Sequence, residues 1–238
     1  MTHPKYQRVL LKLSGETFLG KRDYGIDPEF CLWLAKEIIK AAKDGTQIST
    51  VVGGGNIFRG TAAAEHGLER TVGDYIGMLA TIMNSLALQA ALEKEGQASR
   101  VLSAIEIKDV CEPYIRRRAI RHLEKGRVVI FAGGTGNPYF TTDTTAALRA
   151  LEIGCQIILK ATKVDGVYDK DPKVYKDAKK LESLTFKQAL SDKQIEVLDN
   201  SAIALCMEHK IPILVFDLNK EGNIQKAVEG QKIGTLIF

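Results

Sequence analysis

The residues that can do chemistry in this sequence cluster just after short apolar runs. The longest cluster, FAGGTGNPYFTTD at 131–143, combines glycines, hydroxyl side chains and a carboxylate, and it leads into a helix-like segment that ends at Gly154. A loop of this kind can offer backbone N–H groups and the positive end of a helix dipole to a phosphate. Because ligands of open α/β sheets bind where strands lead into helices, this composition predicts an anion site.

Two further clusters have a similar composition. Lys12 begins the sequence KLSG at the end of the first apolar run, where an ordinary solvated lysine is the alternative interpretation. Three glycines at 53–55 follow a second apolar run. Successive glycines permit positive φ angles and a close approach to a ligand, although they also suit a flexible turn. Asn56 and Arg59 follow with an amide and a bidentate guanidinium, which favour phosphate binding.

Two well-known nucleotide motifs are present only in part. The segment GETFLGK at 15–21 has the glycine spacing of a P-loop, but Arg22 replaces the Ser or Thr that binds magnesium. The segment GTG at 134–136 begins like a dinucleotide fingerprint, but Tyr139 replaces its third glycine. The sequence therefore disfavours a P-loop NTPase and a Rossmann dehydrogenase.

Metal-binding and triad patterns also lack the necessary spacing. The four cysteines are far apart and form no C-x-x-C pair, and the four histidines are scattered along the chain. This distribution disfavours a zinc site, a disulfide framework and a His-based triad. It predicts small buried thiols in a reducing compartment.

The elements that must position these loops alternate between strand and helix. Apolar runs predict strands near 8–13, 48–52, 101–103, 127–132, 155–160, 213–216 and 234–238, with helical patterns between most of them. Such alternation predicts an α/β fold with a mainly parallel sheet covered by helices on both faces. We expect a single domain over residues 1–238, with an indistinct division into two lobes near residue 154.

Two helix starts have a recognisable signal. Asp27-Pro28 pairs an N-cap side chain with a proline at the first helical position. Asp74 is expected to cap a long amphipathic helix that ends near Gly96. The predicted buried stripe of that helix recurs at spacings of three and four and comprises Ile76, Leu79, Met83, Leu86 and Ala90.

Composition and charge are those of an ordinary globular protein. The chain has 238 residues, of which 45% are hydrophobic and 26% charged, with a net charge of +4. Because cations and anions are interleaved, we expect no nucleic-acid partner, and the arginines at 116–118 are interpreted as a solvated helix face. No apolar stretch approaches the roughly 20 residues of a membrane helix, so the sequence predicts a cytoplasmic protein without a membrane partner.

Five motifs in order along nearly the whole chain resemble the bacterial uridylate kinases (UMP kinases) of the amino-acid-kinase superfamily. These motifs are KLSG at 12–15, GGGNIFRG at 53–60, GD at 73–74 with GMLAT at 77–81, GTGNPYFTTD at 134–143, and KATKVDGVY at 160–168 with DP at 171–172. The resemblance implies an amino-acid-kinase-like three-layer sandwich and the reaction ATP + UMP → ADP + UDP of pyrimidine nucleotide biosynthesis. It further implies an acceptor-binding N-terminal lobe and an ATP-binding C-terminal lobe.

The resemblance also implies which residues act. The catalytic set would be Lys12, Arg59, Asp143 and Lys160. The ATP-binding set would be Lys12, Leu13, Ser14, Gly15, Gly55, Arg59, Thr162, Tyr168 and Asp171. The UMP-binding set would be Gly54, Asp74, Thr135, Gly136, Asn137, Pro138, Tyr139, Phe140, Thr141 and Thr142. Mg²⁺ would arrive with ATP rather than on a dedicated protein site, with Asp143 or Asp199 near it.

Regulation and assembly follow from the same resemblance. A segment associated with GTP activation would comprise Gly20, Lys21, Arg22, Asp23, Tyr24 and Gly25, although its two cations between glycines equally suit an exposed loop. UTP inhibition and a homohexamer are also implied.

Several alternatives remain open from the sequence alone. Asp74, Asp143 and Asp199 could be helix caps, Lys160 a solvated charge and Tyr168 a packing aromatic. Rival functions are a carboxylate or carbamate kinase of the same superfamily and a non-catalytic nucleotide- or oxyanion-binding protein. Asp74 and the segment 134–142 match the nucleotide-acceptor pattern of the family, and the presence of Lys12, Arg59 and Asp143 favours an enzyme.

Overall fold

The computed structural model describes residues 4–59, 67–172, 174–192 and 198–238. Its strands are β1 (Arg8–Leu13), β2 (Gln47–Val52), β3 (Ser99–Ser103), β4 (Glu112–Pro113), β5 (Val128–Ala132), β6 (Ile157–Thr162), β7 (Val167–Tyr168), β8 (Lys180–Leu181), β9 (Ser183–Leu184), β10 (Ile213–Asp217) and β11 (Thr235–Ile237). Its helices are α1 (Pro28–Ala42), α2 (Arg70–Lys94), α3 (Arg116–Glu124), α4 (Thr142–Ile153), α5 (Phe186–Ser191), α6 (Asn200–His209) and α7 (Asn223–Val228).

Nine of these strands form one sheet in the order β4-β3-β5-β2-β1-β6-β10-β11-β9. Neighbouring strands run parallel except β10 and β11, which are antiparallel. Strands β7 and β8 form a separate antiparallel pair. The predicted mainly parallel sheet is therefore confirmed, and β1 at its centre pairs with strands from both halves of the chain.

Helices cover both faces of the sheet and create two apolar cores. Leu11 and Leu13 of β1 point into the core shared with α1, α2 and α7, whereas Leu10 points into the core shared with α3, α4, α5 and α6. This alternation follows from the two-residue period of a strand, and both faces are apolar because a parallel sheet is buried on both sides. The three-layer α/β architecture is confirmed.

Helix α1 begins where the sequence predicts. The Asp27 carboxylate accepts hydrogen bonds from the backbone N–H of Glu29 at 2.9 Å and of Phe30 at 3.4 Å, and Pro28 occupies the first helical position. The N-cap therefore satisfies two N–H groups that lack helical partners.

Helix α2 differs from the prediction in two respects. It begins at Arg70, so Asp74 lies one turn inside the helix, where it pairs with Arg70, and is not its cap. The predicted buried stripe was also wrong, because Leu79 is 45% exposed and Met83 52% exposed. The buried face instead carries Met78, Thr81, Ile82, Asn84, Ser85, Leu88, Ala91 and Leu92. This partly polar face is buried because Thr81 and Asn84 find hydrogen-bond partners in the neighbouring loops.

Helix α2 also qualifies the expectation about membrane segments. Among the described residues, Arg70–Lys94 is the one helix long and apolar enough to cross a membrane, with a mean hydropathy of 1.4 over its best window. The sequence-based statement that no such stretch exists was therefore too strict. Half of that window, 50%, is buried inside the protein, and core helices pass the same test.

Candidate active site

Lys12 and Lys160 lie side by side near the carboxyl ends of two central strands. Strands β1 and β6 are parallel neighbours whose register places Lys12 opposite Lys160. Opposed residues of adjacent strands point to the same face of a sheet. The two ammonium groups are therefore brought together by the strand register alone.

Asp143 joins these two lysines. One carboxylate oxygen, Oδ1, lies 2.7 Å from Lys12 Nζ, and the other, Oδ2, lies 3.0 Å from Lys160 Nζ. The N-cap of α4 is Thr141, whose hydroxyl accepts the backbone N–H of Asp143 at 3.1 Å and of Thr144 at 3.2 Å. The capping interpretation of Asp143 is thus wrong, and its side chain is directed to the lysines.

The charges of this cluster alter one another's protonation. Burial would raise the pKa of the Asp143 carboxyl, but the ammonium groups of Lys12 and Lys160 outweigh burial and hold that pKa below its usual value. Burial and the neighbouring Lys12 lower the pKa of Lys160, and the Asp143 carboxylate offsets this only in part. Two partly buried cations sharing one anion leave an excess positive charge, which suits a phosphate.

Asp199 combines a structural role with proximity to this cluster. It is the N-cap of α6 and accepts the backbone N–H of Ala202 at 2.8 Å. It also accepts hydrogen bonds from the hydroxyls of Thr141 and Thr144, the latter at 2.9 Å. Its negative charge favours the protonated form of Lys160. The capping interpretation of Asp199 is confirmed, and the same carboxylate fixes the first turn of α4.

The two glycine-rich segments beside Lys12 are packed against each other, and we call them together the donor loops (residues 12–15 and 53–55). The backbone N–H of Gly53 donates to Leu13 O at 2.9 Å. A Cβ added at Gly15 would lie 2.4 Å from Gly55 N, and one added at Gly53 would lie 2.7 Å from Gly15 N. Only glycine permits this close contact between the two segments.

Arg59 lies over the second donor loop. Its guanidinium forms an ion pair with Glu16 and its Nε donates to Gly55 O at 3.4 Å. Glu16 was not predicted, and its position directly after Gly15 was the only signal for it. Because both side chains are substantially exposed, an anion can exchange with the Glu16 carboxylate for Arg59.

The segment 133–142, which we call the acceptor loop, closes over α2. Asp74 accepts the backbone N–H of Tyr139 at 2.8 Å, and the Arg70 guanidinium lies 5.5 Å from the centre of the Tyr139 ring. Tyr139 has a φ of 72°, an unusual value for a residue with a side chain. The Asp74 hydrogen bond thus supports a strained turn, of the kind found at ligand sites.

A cleft of about 170 Å³ separates the acceptor loop from α2 and the second donor loop. Its lining residues are Gly54, Gly55, Phe58, Gly73, Asp74, Gly77, Met78, Thr81, Gly134, Thr135, Phe140, Thr141, Thr142 and Thr145. Six of the predicted UMP-binding residues line it. Gly136, Asn137, Pro138 and Tyr139 form the outer turn, in which the Thr135 hydroxyl accepts the N–H of Asn137 at 3.1 Å.

The predicted adenosine-binding residues are less closely grouped. Thr162 lines a cavity of about 470 Å³ together with Phe30, Trp33 and Lys163. Tyr168 lies on β7, where its hydroxyl donates to Asp165 at 2.7 Å, and Asp171 lies in the exposed turn that follows. A role for Tyr168 and Asp171 in ATP binding stays a prediction.

The 20–25 segment is attached to Asn56, which follows the triglycine, and to Asp27. Gly25 N donates to Asn56 O at 3.2 Å, and Asn56 Nδ2 donates to Gly25 O at 2.7 Å. Lys21 N donates to the Asp27 carboxylate at 3.2 Å, and Tyr24 between these anchors is exposed. The segment therefore contacts the residue that follows the triglycine.

The carboxylates near the lysines are already engaged by protein groups. In the described part of the chain, no group of three or more His, Cys, Asp or Glu side chains could hold a metal ion. Both oxygens of Asp143 contact ammonium groups, and Asp199 accepts hydrogen bonds from two hydroxyls and an N–H. Mg²⁺ bound mainly by nucleotide phosphates, with one or two carboxylates nearby, is compatible with these residues.

Glycine loops and paired lysines at the carboxyl edge of a three-layer sheet define a phosphate-binding α/β protein. The model of the Amino acid kinase family matches residues 7–217. This chain belongs to the amino acid kinase family.

Solved structures agree with this membership. The chain is similar to a UMP kinase from Bacillus anthracis, with a TM-score of 0.93 and 39% identity over 98% of this chain and 96% of that one. It is also similar to a UMP kinase from Ureaplasma parvum, with a TM-score of 0.91 and 40% identity over 98% and 99%. A uridylate kinase from Archaeoglobus fulgidus matches with a TM-score of 0.75 and 34% identity over 97% and 99%. The resemblance to uridylate kinases is confirmed.

Proposed function

We propose that this protein transfers the γ-phosphoryl group of ATP to UMP, giving ADP and UDP. The observation that carries this proposal is the Lys12–Asp143–Lys160 cluster, which lies between the donor loops and the beginning of α4. The similarity to UMP kinases over 98% of the chain supports UMP as the acceptor.

The chemistry requires positioning and charge neutralisation more than acid–base groups. Phosphoryl transfer spreads negative charge over the equatorial oxygens, and preorganised cations stabilise that charge. Lys12 and Lys160 would contact the transferring group, and Asp143 would hold both ammonium groups in place. The second pKa of a phosphate monoester is about 6, so UMP is largely dianionic at neutral pH and needs no general base.

The donor would occupy the side of the cluster next to the triglycine. Backbone N–H groups of residues 12–15 and Gly55, with the Arg59 guanidinium, would bind its phosphates. Thr162, Tyr168 and Asp171 would hold the adenosine, which makes the C-terminal half the donor lobe of a single domain. Mg²⁺ carried by ATP would neutralise the β- and γ-phosphates.

The acceptor would occupy the cleft beneath the acceptor loop. Gly54 and the loop from Thr135 to Thr142 line or border that cleft. Asp74 Oδ2 holds Tyr139 N in this conformation, while its Oδ1 accepts from Arg70 Nε at 3.2 Å. Because the Arg70 guanidinium is partly exposed, Oδ1 would exchange this contact for a hydroxyl of the nucleotide. The N-terminal half would therefore be the acceptor lobe.

Acceptor specificity tests the proposed function directly. ADP release should be measured with UMP, CMP, AMP, glutamate and carbamate as acceptors, with Mg²⁺ and ATP present. We expect the highest kcat/KM for UMP. A preference for a carboxylate or carbamate would support the superfamily rival, and tight nucleotide binding without turnover would identify a non-catalytic binding protein.

Assembly and regulation extend the proposal. The outward face of α2 exposes Val72, Tyr75, Leu79 and Met83, an apolar stripe that a monomer would leave in water. We propose that this stripe is a contact between copies of the chain in a homo-oligomer, with a hexamer as the expected state. We further propose that the enzyme is cytoplasmic, that GTP activates it through residues 20–25, and that UTP inhibits it.

A further inference from the structure

One face of α2 holds both substrate loops. Thr81 and Asn84 are three residues apart on this helix, so their side chains lie on neighbouring positions of the same face. The Thr81 hydroxyl accepts the backbone N–H of Gly133, at the start of the acceptor loop, at 2.9 Å. The Asn84 amide donates to the carbonyl of Gly53, the first glycine of the triglycine, at 2.7 Å. A single helical turn therefore connects the two loops.

The Asn84 contact belongs to a fully paired amide dimer. Asn84 Nδ2 donates to Asn56 Oδ1 at 2.7 Å, and Asn56 Nδ2 donates to Asn84 Oδ1 at 3.0 Å. The remaining amide hydrogens bond to the carbonyls of Gly53 and Gly25. Asn84 is 0% exposed. Because a buried, fully satisfied polar network permits few alternative arrangements, it fixes the donor loops relative to α2.

The Thr81 contact is equally constrained. Its hydroxyl donates to Met78 O at 2.6 Å, which directs an oxygen lone pair toward the N–H of Gly133. Gly133 has a φ of 72°, and a Cβ there would lie 2.9 Å from Ser103 Oγ. The acceptor loop thus begins at a residue held between β3 and α2 and has little freedom to shift.

We propose that Thr81 and Asn84 are positioning residues that set the distance and direction between the donor phosphates and the acceptor phosphate. Neither side chain needs to contact the reacting atoms, because they act through Gly133 and Gly53. This inference rests on the proposed transfer to UMP. In-line transfer depends on near-attack geometry, and a misplacement of about 1 Å can lower a rate by about 10²-fold.

Steady-state kinetics of three variants test the inference. Thr81→Val removes the hydroxyl with little change in volume, and we expect kcat to fall at least about 10-fold while KM for ATP changes little. Thr81→Ser restores the hydroxyl and should restore most of kcat. Ser85→Ala is the matched control, because the buried Ser85 hydroxyl donates to Thr81 O within the helix and touches neither loop. Its kcat should equal that of the wild type.

The outcomes separate this inference from the proposed function. A wild-type protein that releases no ADP with UMP overturns both. An active wild type with equal kcat for Thr81→Val and Ser85→Ala overturns only the positioning role. The positioning role is also overturned if the fall in kcat of Thr81→Val parallels a loss of thermal stability and Thr81→Ser does not restore kcat. If Thr81→Val does not fold, Asn84→Asp takes its place, since it removes the donor to Gly53 O, and an unchanged kcat contradicts the inference.

Discussion

At the scale of single residues, the site depends on two cations that share one carboxylate. Lys12 and Lys160 are held by opposite oxygens of Asp143, and all three side chains are largely shielded from water. The anion offsets the repulsion between the cations, and Lys12, Asp143 and Lys160 together carry one more positive than negative charge. The arrangement therefore prepares the site for a phosphate without any bound ligand.

Removing one cation should abolish most of the transfer without unfolding the protein. We expect Lys12→Ala to lower kcat by about 10²- to 10³-fold, because a preorganised charge next to the transferring group is lost. The remaining Lys160–Asp143 pair keeps the buried charges balanced, so thermal stability should change much less. Lys36→Ala is the matched control, since Lys36 lies on the exposed side of α1. Parallel losses of stability and activity would indicate a structural lysine instead.

Asp143 should also leave a signature in the pH dependence of stability. Its folded-state pKa lies below the usual value of about 3.9, so its favourable contribution is complete above that pH and is lost as the pH falls toward the folded-state pKa. The free energy of unfolding, measured with urea, should therefore fall more steeply below about pH 4 in the wild type than in Asp143→Asn. Identical slopes would show that the lysines do not lower the Asp143 pKa.

At the scale of elements, the glycine segments and α2 decide how the site is assembled. The donor loops are in contact through backbone, and α2 joins them to the acceptor loop through Thr81 and Asn84. The apolar pattern of α2 is nearly continuous, so periodicity could not reveal which stripe faces the sheet. The partners of Thr81 and Asn84, which lie in distant loops, decided that orientation.

The contact between the donor loops predicts an effect specific to ATP. In Gly15→Ala the new Cβ would meet Gly55 N at 2.4 Å, so the two segments must separate. We expect KM for ATP to rise by about 10-fold or more, because backbone N–H groups no longer converge on its phosphates. KM for UMP serves as the internal control and should change little. Equal increases for both substrates would argue against a donor-specific role of this contact.

At the scale of the whole molecule, helix α2 connects the candidate active site with the outer surface, because one of its faces contacts the loops and another is exposed. The helix presents polar side chains to the loops and apolar side chains to solvent. An exposed apolar helical stripe is typical of an interface between protein chains. Assembly would therefore bury the surface directly behind the residues that position both loops.

Charge on this stripe should disrupt self-association. We expect the double variant Leu79→Glu, Met83→Glu to sediment as a smaller species than the wild type, because burying two unpaired carboxylates in an apolar contact is costly. Met207→Glu on α6 provides a control with a similar change at another exposed apolar residue. Analytical ultracentrifugation distinguishes the outcomes, and an unchanged oligomer in the double variant would exclude the α2 contact.

Much of this protein could be predicted from its sequence because the relevant signals are local. Strand and helix alternation requires only the spacing of apolar residues, and the start of α1 requires only Asp27 followed by Pro28. Composition also located the donor and acceptor loops, since glycines and hydroxyls after a strand suit phosphate whatever surrounds them. The α/β class and the edge of the sheet that carries the candidate site were therefore determined by the sequence.

Tertiary structure alone decided which of these side chains meet. The pairing of Lys12 with Lys160 depends on strand register across almost 150 residues of chain, and the bridging position of Asp143 depends on where α4 begins. The orientation of α2 and the roles of Thr81 and Asn84 depend on carbonyl and N–H groups in loops far away in sequence. Long-range pairing has no local periodic signal, so no spacing rule could have supplied these contacts.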